Sequence, residues 1–135
     1  MDRATLIEAL RSYFAGRPDV VAAYLFGSTA RGEAKASSDV DVGVLLAAGE
    51  PSLPADYDVL FAIQDDLEER LHRPVDVLAM NGAPLDLLHR VLRDGILVLD
   101  RDPLRRGEFE LAARTQYMDF LPVLLRYRSM VLRGA

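Results

Sequence analysis

Three aspartates carry the chemistry open to this chain. Asp39 and Asp41 stand two apart in Asp39-Val40-Asp41-Val42-Gly43-Val44, and Asp76 stands alone in Val75-Asp76-Val77-Leu78. Side chains alternate faces along a strand, so Asp39, Asp41 and Gly43 point one way while Val40, Val42 and Val44 point the other. The valines are core and the aspartates are free to act. If the two strands are neighbours, three carboxylates share one face, a repulsive arrangement that a divalent cation relieves. Oxygen-only donors suit Mg2+, which takes one or two carboxylates and completes its shell with waters and substrate phosphates. Upstream, Gly27-Ser28 supplies the phosphate half of such a site. Gly27 lets backbone approach an anion closely, Ser28 offers a hydroxyl and an amide, and Arg31 adds a charged fork for a phosphate oxygen. The ligand implied is a nucleoside triphosphate with its metal.

These residues have to be held by a sheet. Val20 to Phe26 is a nearly continuous apolar run, the mark of a strand buried on both faces, and it ends at the Gly-Ser turn. A short helix and a polar loop follow, and the Asp39–Leu46 strand comes next. Before it, Ala4 to Ala15 reads as a helix with Leu6, Ile7, Leu10, Tyr13 and Phe14 on one face, stopped by Gly16 and Pro18. After the loop 47–54, Asp56 to His72 reads as a helix with Tyr57, Leu60, Phe61, Gln64, Leu67 and Leu71 near one stripe. Its acids, Asp65, Asp66, Glu68 and Glu69, form a solvated face. Strand Val75–Ala79, a turn at Asn81-Gly82, a helix opened by Pro84 and closed by Gly95, and strand Ile96–Leu99 complete the core. Asp102-Pro103 starts a last helix, expected to bend or break at Pro122. Tyr117, Tyr127, Met130 and Val131 are expected to pack on the core, the other reading being a surface for a helical partner. From pattern alone the fold is α/β with a parallel sheet.

Composition narrows the function classes. At 135 residues, half of them apolar, the chain is one ordered domain. It has no cysteine, hence no disulfide framework or zinc–thiolate site, and no apolar run of transmembrane length or secretory start, so a cytoplasmic protein without membrane contact is expected. A net charge of −5 argues against direct nucleic-acid binding. Residues 101–135 hold seven arginines against four acids, so a +3 tail sits on a −8 body. His72 and His89, each without a second histidine at ligand spacing, read as surface residues. Gly27-x-x-x-x-Gly32 is not a phosphate loop of the Walker type, because Glu33-Ala34 stands where Lys-Ser/Thr is required.

Gly27-Ser28, ten residues, Asp39-x-Asp41 and a third acid on a later strand resemble the signature of the DNA polymerase β-type nucleotidyltransferases. The fuller strings G-S-T-A-R-G-E-A and S-D-V-D-V are similar to those of the minimal nucleotidyltransferases. The resemblance spans about Val20 to Leu99, with a weaker echo in Tyr117-Met118-Asp119-Phe120. It implies a mixed α/β sheet whose first two strands run antiparallel, a nucleotidyltransferase core over residues 1–100 and a helical extension over 101–135. It also implies Mg2+-dependent transfer of AMP from ATP to a hydroxyl, a tyrosine of a HEPN ribonuclease toxin that such antitoxins silence. Asp39, Asp41 and Asp76 would then be catalytic metal ligands, with Gly27, Ser28 and Arg31 binding phosphates. Two other readings stay open: transfer to a small hydroxylated molecule such as an aminoglycoside, and an antitoxin that only binds its partner.

Overall fold

A computed structural model describes residues 1–33 and 39–134. The elements run α1 (Arg3–Ala15), β1 (Val20–Phe26), α2 (Gly27–Arg31), β2 (Val40–Leu46), α3 (Pro54–Leu71), β3 (Val75–Ala79), α4 (Leu85–Asp94), β4 (Ile96–Asp100) and α5 (Pro103–Gly134). The expected polar loop, 34–38, lies outside the described residues.

The four strands form one sheet in the order β3-β2-β1-β4. β1 runs antiparallel to both β2 and β4, whereas β2 and β3 are parallel. The sheet is thus the mixed one that the family resemblance implies, with its first two strands antiparallel, and not the parallel one that pattern alone suggests. Buried apolar runs look alike in either direction, and it is the short α2 link that lets β2 return beside β1.

Each strand face packs against its own helical layer. Val40, Val42 and Val44 join Leu10, Phe14, Ile63 and Leu67 in the core beneath α1 and α3. Leu45, Tyr24 and Met80 join Leu88, Val91 and Ala113 beneath α4 and α5. Gly43 faces this second layer, where a methyl would stand 3.2 Å from Met80 Cγ and Sδ and 3.7 Å from Val91 Cγ1 of α4. In α3 the buried stripe is Ile63, Leu67 and Leu71, and Tyr57 and Phe61 are 46% and 62% exposed. The expected stripe was rotated by its two aromatic residues, because apolar character alone does not say which of two adjacent stripes meets the sheet.

Long-range polar contacts fasten these layers. The Arg101 guanidinium donates to the carbonyls of Val20 at 3.1 Å and Phe14 at 2.8 Å, closing the end of α1 onto the start of β1. Removing hydrogen bonds from a charged donor costs about 2 kcal/mol. Arg101→Ala is therefore expected to lower unfolding stability by that amount in a urea titration, with no direct effect on a site at the other end of β1. On the opposite layer Tyr24 donates to Glu110, which also accepts from Arg106, itself paired with Asp100. Burial, reinforced by Glu110, holds the Tyr24 hydroxyl far above the usual phenol range, so it stays a neutral donor that pins α5 to the sheet.

α5 runs unbroken through Pro122, which corrects the expected break. Proline withholds one N–H from the helix, and on an exposed helix water can satisfy the carbonyl left without it. The tail does not pack on the core either. Ala113 is buried, but Met118, Val123, Tyr127, Met130 and Val131 are exposed. Tyr117 differs from them, lying stacked on His89 of α4 at 3.9 Å between ring centroids and 6° between planes. No described helix is long and apolar enough to cross a membrane.

Candidate active site

β1 delivers the chain to the site and α2 turns it. Phe26 is still extended, and Gly27 then takes φ +73°, a left-handed conformation that a side chain resists. One turn of helix follows. The Thr29 hydroxyl, buried, donates to the Phe26 carbonyl at 3.3 Å, and Gly32, also left-handed at φ +74°, closes the turn. From α1, Arg3 donates to the Ala30 carbonyl at 2.9 Å and anchors the far end of α2. Ser28 is half-buried in that first turn.

The antiparallel register places Phe26 opposite Asp41, and the parallel register places Asp41 opposite Asp76. Asp41 consequently lies between the glycine turn and the third carboxylate. The Asp41 carboxylate rests directly on Gly27, where a methyl would overlap Oδ2. The two halves of the motif, fourteen residues apart in the chain, are thus in contact. Asp39 is exposed just before β2, and Asp76 is exposed on the edge strand.

Asp41 lies within reach of the charges on both other carboxylates. Burial holds the Asp41 carboxyl above the ordinary range, and repulsion from Asp76 and Asp39 raises it further, while Arg31 pulls it back. Arg31 is held by an ion pair with Glu33 at 3.1 Å, with its side chain substantially exposed. All six predicted residues, Gly27, Ser28, Arg31, Asp39, Asp41 and Asp76, therefore collect around the ends of β1, β2 and β3.

Among the described residues, no three acidic or histidine side chains already converge tightly enough to hold an ion. The donor chemistry nonetheless fits a hard cation. The donors are carboxylate oxygens, two of them on residues in direct register, and their mutual repulsion is the kind that a bound cation removes. Such an ion takes one or two protein carboxylates and draws its remaining ligands from phosphate and water.

Three supporting residues had no legible signal. Arg3 and Thr29 hold α2 in place through contacts that no local spacing reveals. Asn81, read as a turn residue, does more: its side-chain amide donates to the Leu46 carbonyl at 3.1 Å and its oxygen accepts from the Leu46 N–H at 2.8 Å. This clamp ties the end of β3 to the end of β2 and so helps keep Asp76 in register with Asp41.

Comparison with known proteins places the chain by family and fold. The family described as Polymerase beta, Nucleotidyltransferase matches residues 8–104. A Methanocaldococcus jannaschii protein provisionally named a protein adenylyltransferase is 38% identical over 77 residues, covering 57% of this chain and 77% of that protein. One chain of a crystallised toxin–antitoxin complex with AMP-PNP superposes with a TM-score of 0.74 at 20% identity, over 98% of this chain and 99% of that one. A chain from the complex of a tri-AMPylated Shewanella oneidensis HEPN toxin with an MNT antitoxin gives 0.67 at 19% identity, over 96% and 95%. At such identities these two structures establish the shared fold.

Proposed function

Because the chain belongs to the polymerase β nucleotidyltransferase family, we propose that it transfers AMP from ATP to a hydroxyl of a partner protein, a tyrosine of a HEPN toxin, and thereby silences it. The observation that carries the reading is the contact of Asp41 with Gly27, which joins a phosphate-binding turn to a set of carboxylates. The acceptor comes from the relatives: an adenylyltransferase name at 38% identity, and a shared fold with a chain solved beside an AMPylated toxin.

In this mechanism Gly27 and Ser28 hold the β- and γ-phosphates through backbone N–H groups and the Ser28 hydroxyl. Asp39 and Asp41 would hold Mg2+, and Asp76 would complete a second position. When bound, the ion neutralises triphosphate charge and lowers the pKa of the attacking hydroxyl. The acceptor oxygen bonds to the α-phosphorus as the bond to the β-phosphate oxygen breaks, and pyrophosphate leaves. Asp76, the most exposed of the in-register pair, accepts the acceptor's proton. Arg31 offsets charge on the leaving pyrophosphate, for which it must exchange Glu33 for phosphate.

The test is to add the purified chain, α-labelled ATP and Mg2+ to an extract of its native host and to count protein, RNA and small-molecule fractions. Label is expected on a discrete polypeptide and absent with Asp39→Asn/Asp41→Asn. Label confined to small molecules would replace this reading by transfer to a small hydroxylated acceptor. Chelation with EDTA is expected to abolish labelling and excess Mg2+ to restore it; full labelling in EDTA would refute the metal assignment.

A further inference from the structure

Two exposed apolar surfaces on this chain have no role in the chemistry above, and they are opposite in charge. The first is the distal half of α5. Phe120, Val123, Tyr127, Met130 and Val131 recur at helical spacing, and all are exposed. From residue 120 onward the only charged residues are Arg126, Arg128 and Arg133. The second is a groove of about 330 Å³ between α3 and the edge strand β3, lined by Tyr57, Leu60, Phe61, Gln64 and Val77. α3 carries six acids against one arginine, and Asp58, Asp65 and Glu69 are exposed.

A single molecule cannot bring the two together. α5 packs with α4 on one face of the sheet and α3 with α1 on the other, and α5 continues as one helix to residue 134 without a turn that could lead it back. Pairing tail with tail would set three arginines against three arginines, a repulsive contact. Pairing tail with groove matches apolar anchors with apolar anchors and arginines with acids.

We propose that the distal half of α5 docks in the α3–β3 groove of a second copy of this chain. A reciprocal exchange uses each contact twice and closes as a two-fold dimer.

Sedimentation equilibrium of the full chain tests this. The wild type is expected to dimerise at concentrations up to about 100 µM, weakening as salt screens the arginine–acid pairs. Phe61→Lys in the groove and Tyr127→Asp in the tail should each weaken association by at least about tenfold. Both positions are exposed, so circular-dichroism melts at concentrations too dilute for association should match wild type, and Val131→Asp repeats the tail test if Tyr127→Asp melts early there. The decisive sample is an equal mixture of the two variants. Phe61→Lys keeps an intact tail and Tyr127→Asp an intact groove, so the mixture should recover mixed dimers that neither forms alone. A wild-type monomer throughout, whether or not its tail then binds another protein or anionic vesicles, would overturn the proposal. So would a dimer lost with Tyr127→Asp and untouched by Phe61→Lys, or a mixture no more associated than its components.

Discussion

Asp41→Asn is expected to lower nucleotidyl transfer by about three orders of magnitude or more, the scale lost when a charge stabiliser is removed from a transfer site, while leaving the apo chain at least as stable as before. The two halves of this expectation have one cause. Asp41 lies between Gly27 and Asp76, where burial and two neighbouring carboxylates disfavour its charge. Its carboxyl is raised in the folded state, so between the unfolded and folded values the native chain binds the extra proton. The contribution of Asp41 to stability is accordingly greatest in acid and is lost as pH rises through the carboxylate range. Asparagine keeps the shape and removes that loss. In thermal melts of metal-free protein between about pH 4 and 7, the melting temperature of Asp41→Asn should rise relative to that of the wild type as pH increases. Saturating Mg2+ and AMP-PNP should raise the wild-type melting temperature and leave the variant's unmoved. A variant that retains transfer, or one whose apo stability falls relative to the wild type as pH rises in the same window, would show that Asp41 does not have this role.

Gly27→Ala is the second large effect, and it acts without removing any functional group. The added methyl would overlap Asp41 Oδ2, and the residue would still have to adopt φ +73°. A left-handed conformation costs a non-glycine residue about 1–2 kcal/mol. Relief of the overlap requires either the carboxylate or the turn to shift, and a displacement of about 1 Å in a catalytic group costs on the order of a hundredfold in rate. Loss of about a hundredfold in transfer, with a melting temperature lowered by only a few degrees, is therefore expected. Gly43→Ala provides the contrast. Its methyl would press on Met80 in the α4 layer, so the deficit should appear in stability ahead of turnover. If Gly27→Ala were to transfer AMP at the wild-type rate, the packed arrangement of turn and carboxylate would not be the catalytic one.

Much of this site can be read from the sequence because its logic is local. Val40, Val42 and Val44 had to be buried, so Asp41 had to face the other way, and a glycine at a strand end before a short helix is required where backbone turns left-handed. The mixed sheet was not available from periodicity. It follows from how far α2 carries the chain, a length that the pattern of buried strands does not encode. The α3 stripe failed for a related reason: Tyr57 and Phe61 are as apolar as Ile63, and only the sheet beneath decides which row is covered. Pro122 does not end α5, although its intrinsic cost to a helix is real, because the surrounding helix absorbs it. Arg101, Arg3 and Asn81 act across the fold, on carbonyls and amides that any residue type presents, so nothing in their neighbourhoods marks them.

The strand order also bears on when the site comes into being during folding. The β1–β2 pair is closed by residues 27–39 and the β2–β3 pair by residues 47–74, which include all of α3. Loop-closure entropy grows with the length enclosed, and parallel pairing has to wait for its crossover to form. The turn and Asp41 thus belong to an early, nearly hairpin-like unit, whereas Asp76 is delivered last, when α3 has docked and Asn81 can clamp Leu46. A chain caught before that step would hold the Gly27 turn, the proposed phosphate-binding half of the site, without the third carboxylate. Such a half-assembled intermediate should bind nucleotide before it can transfer any of it.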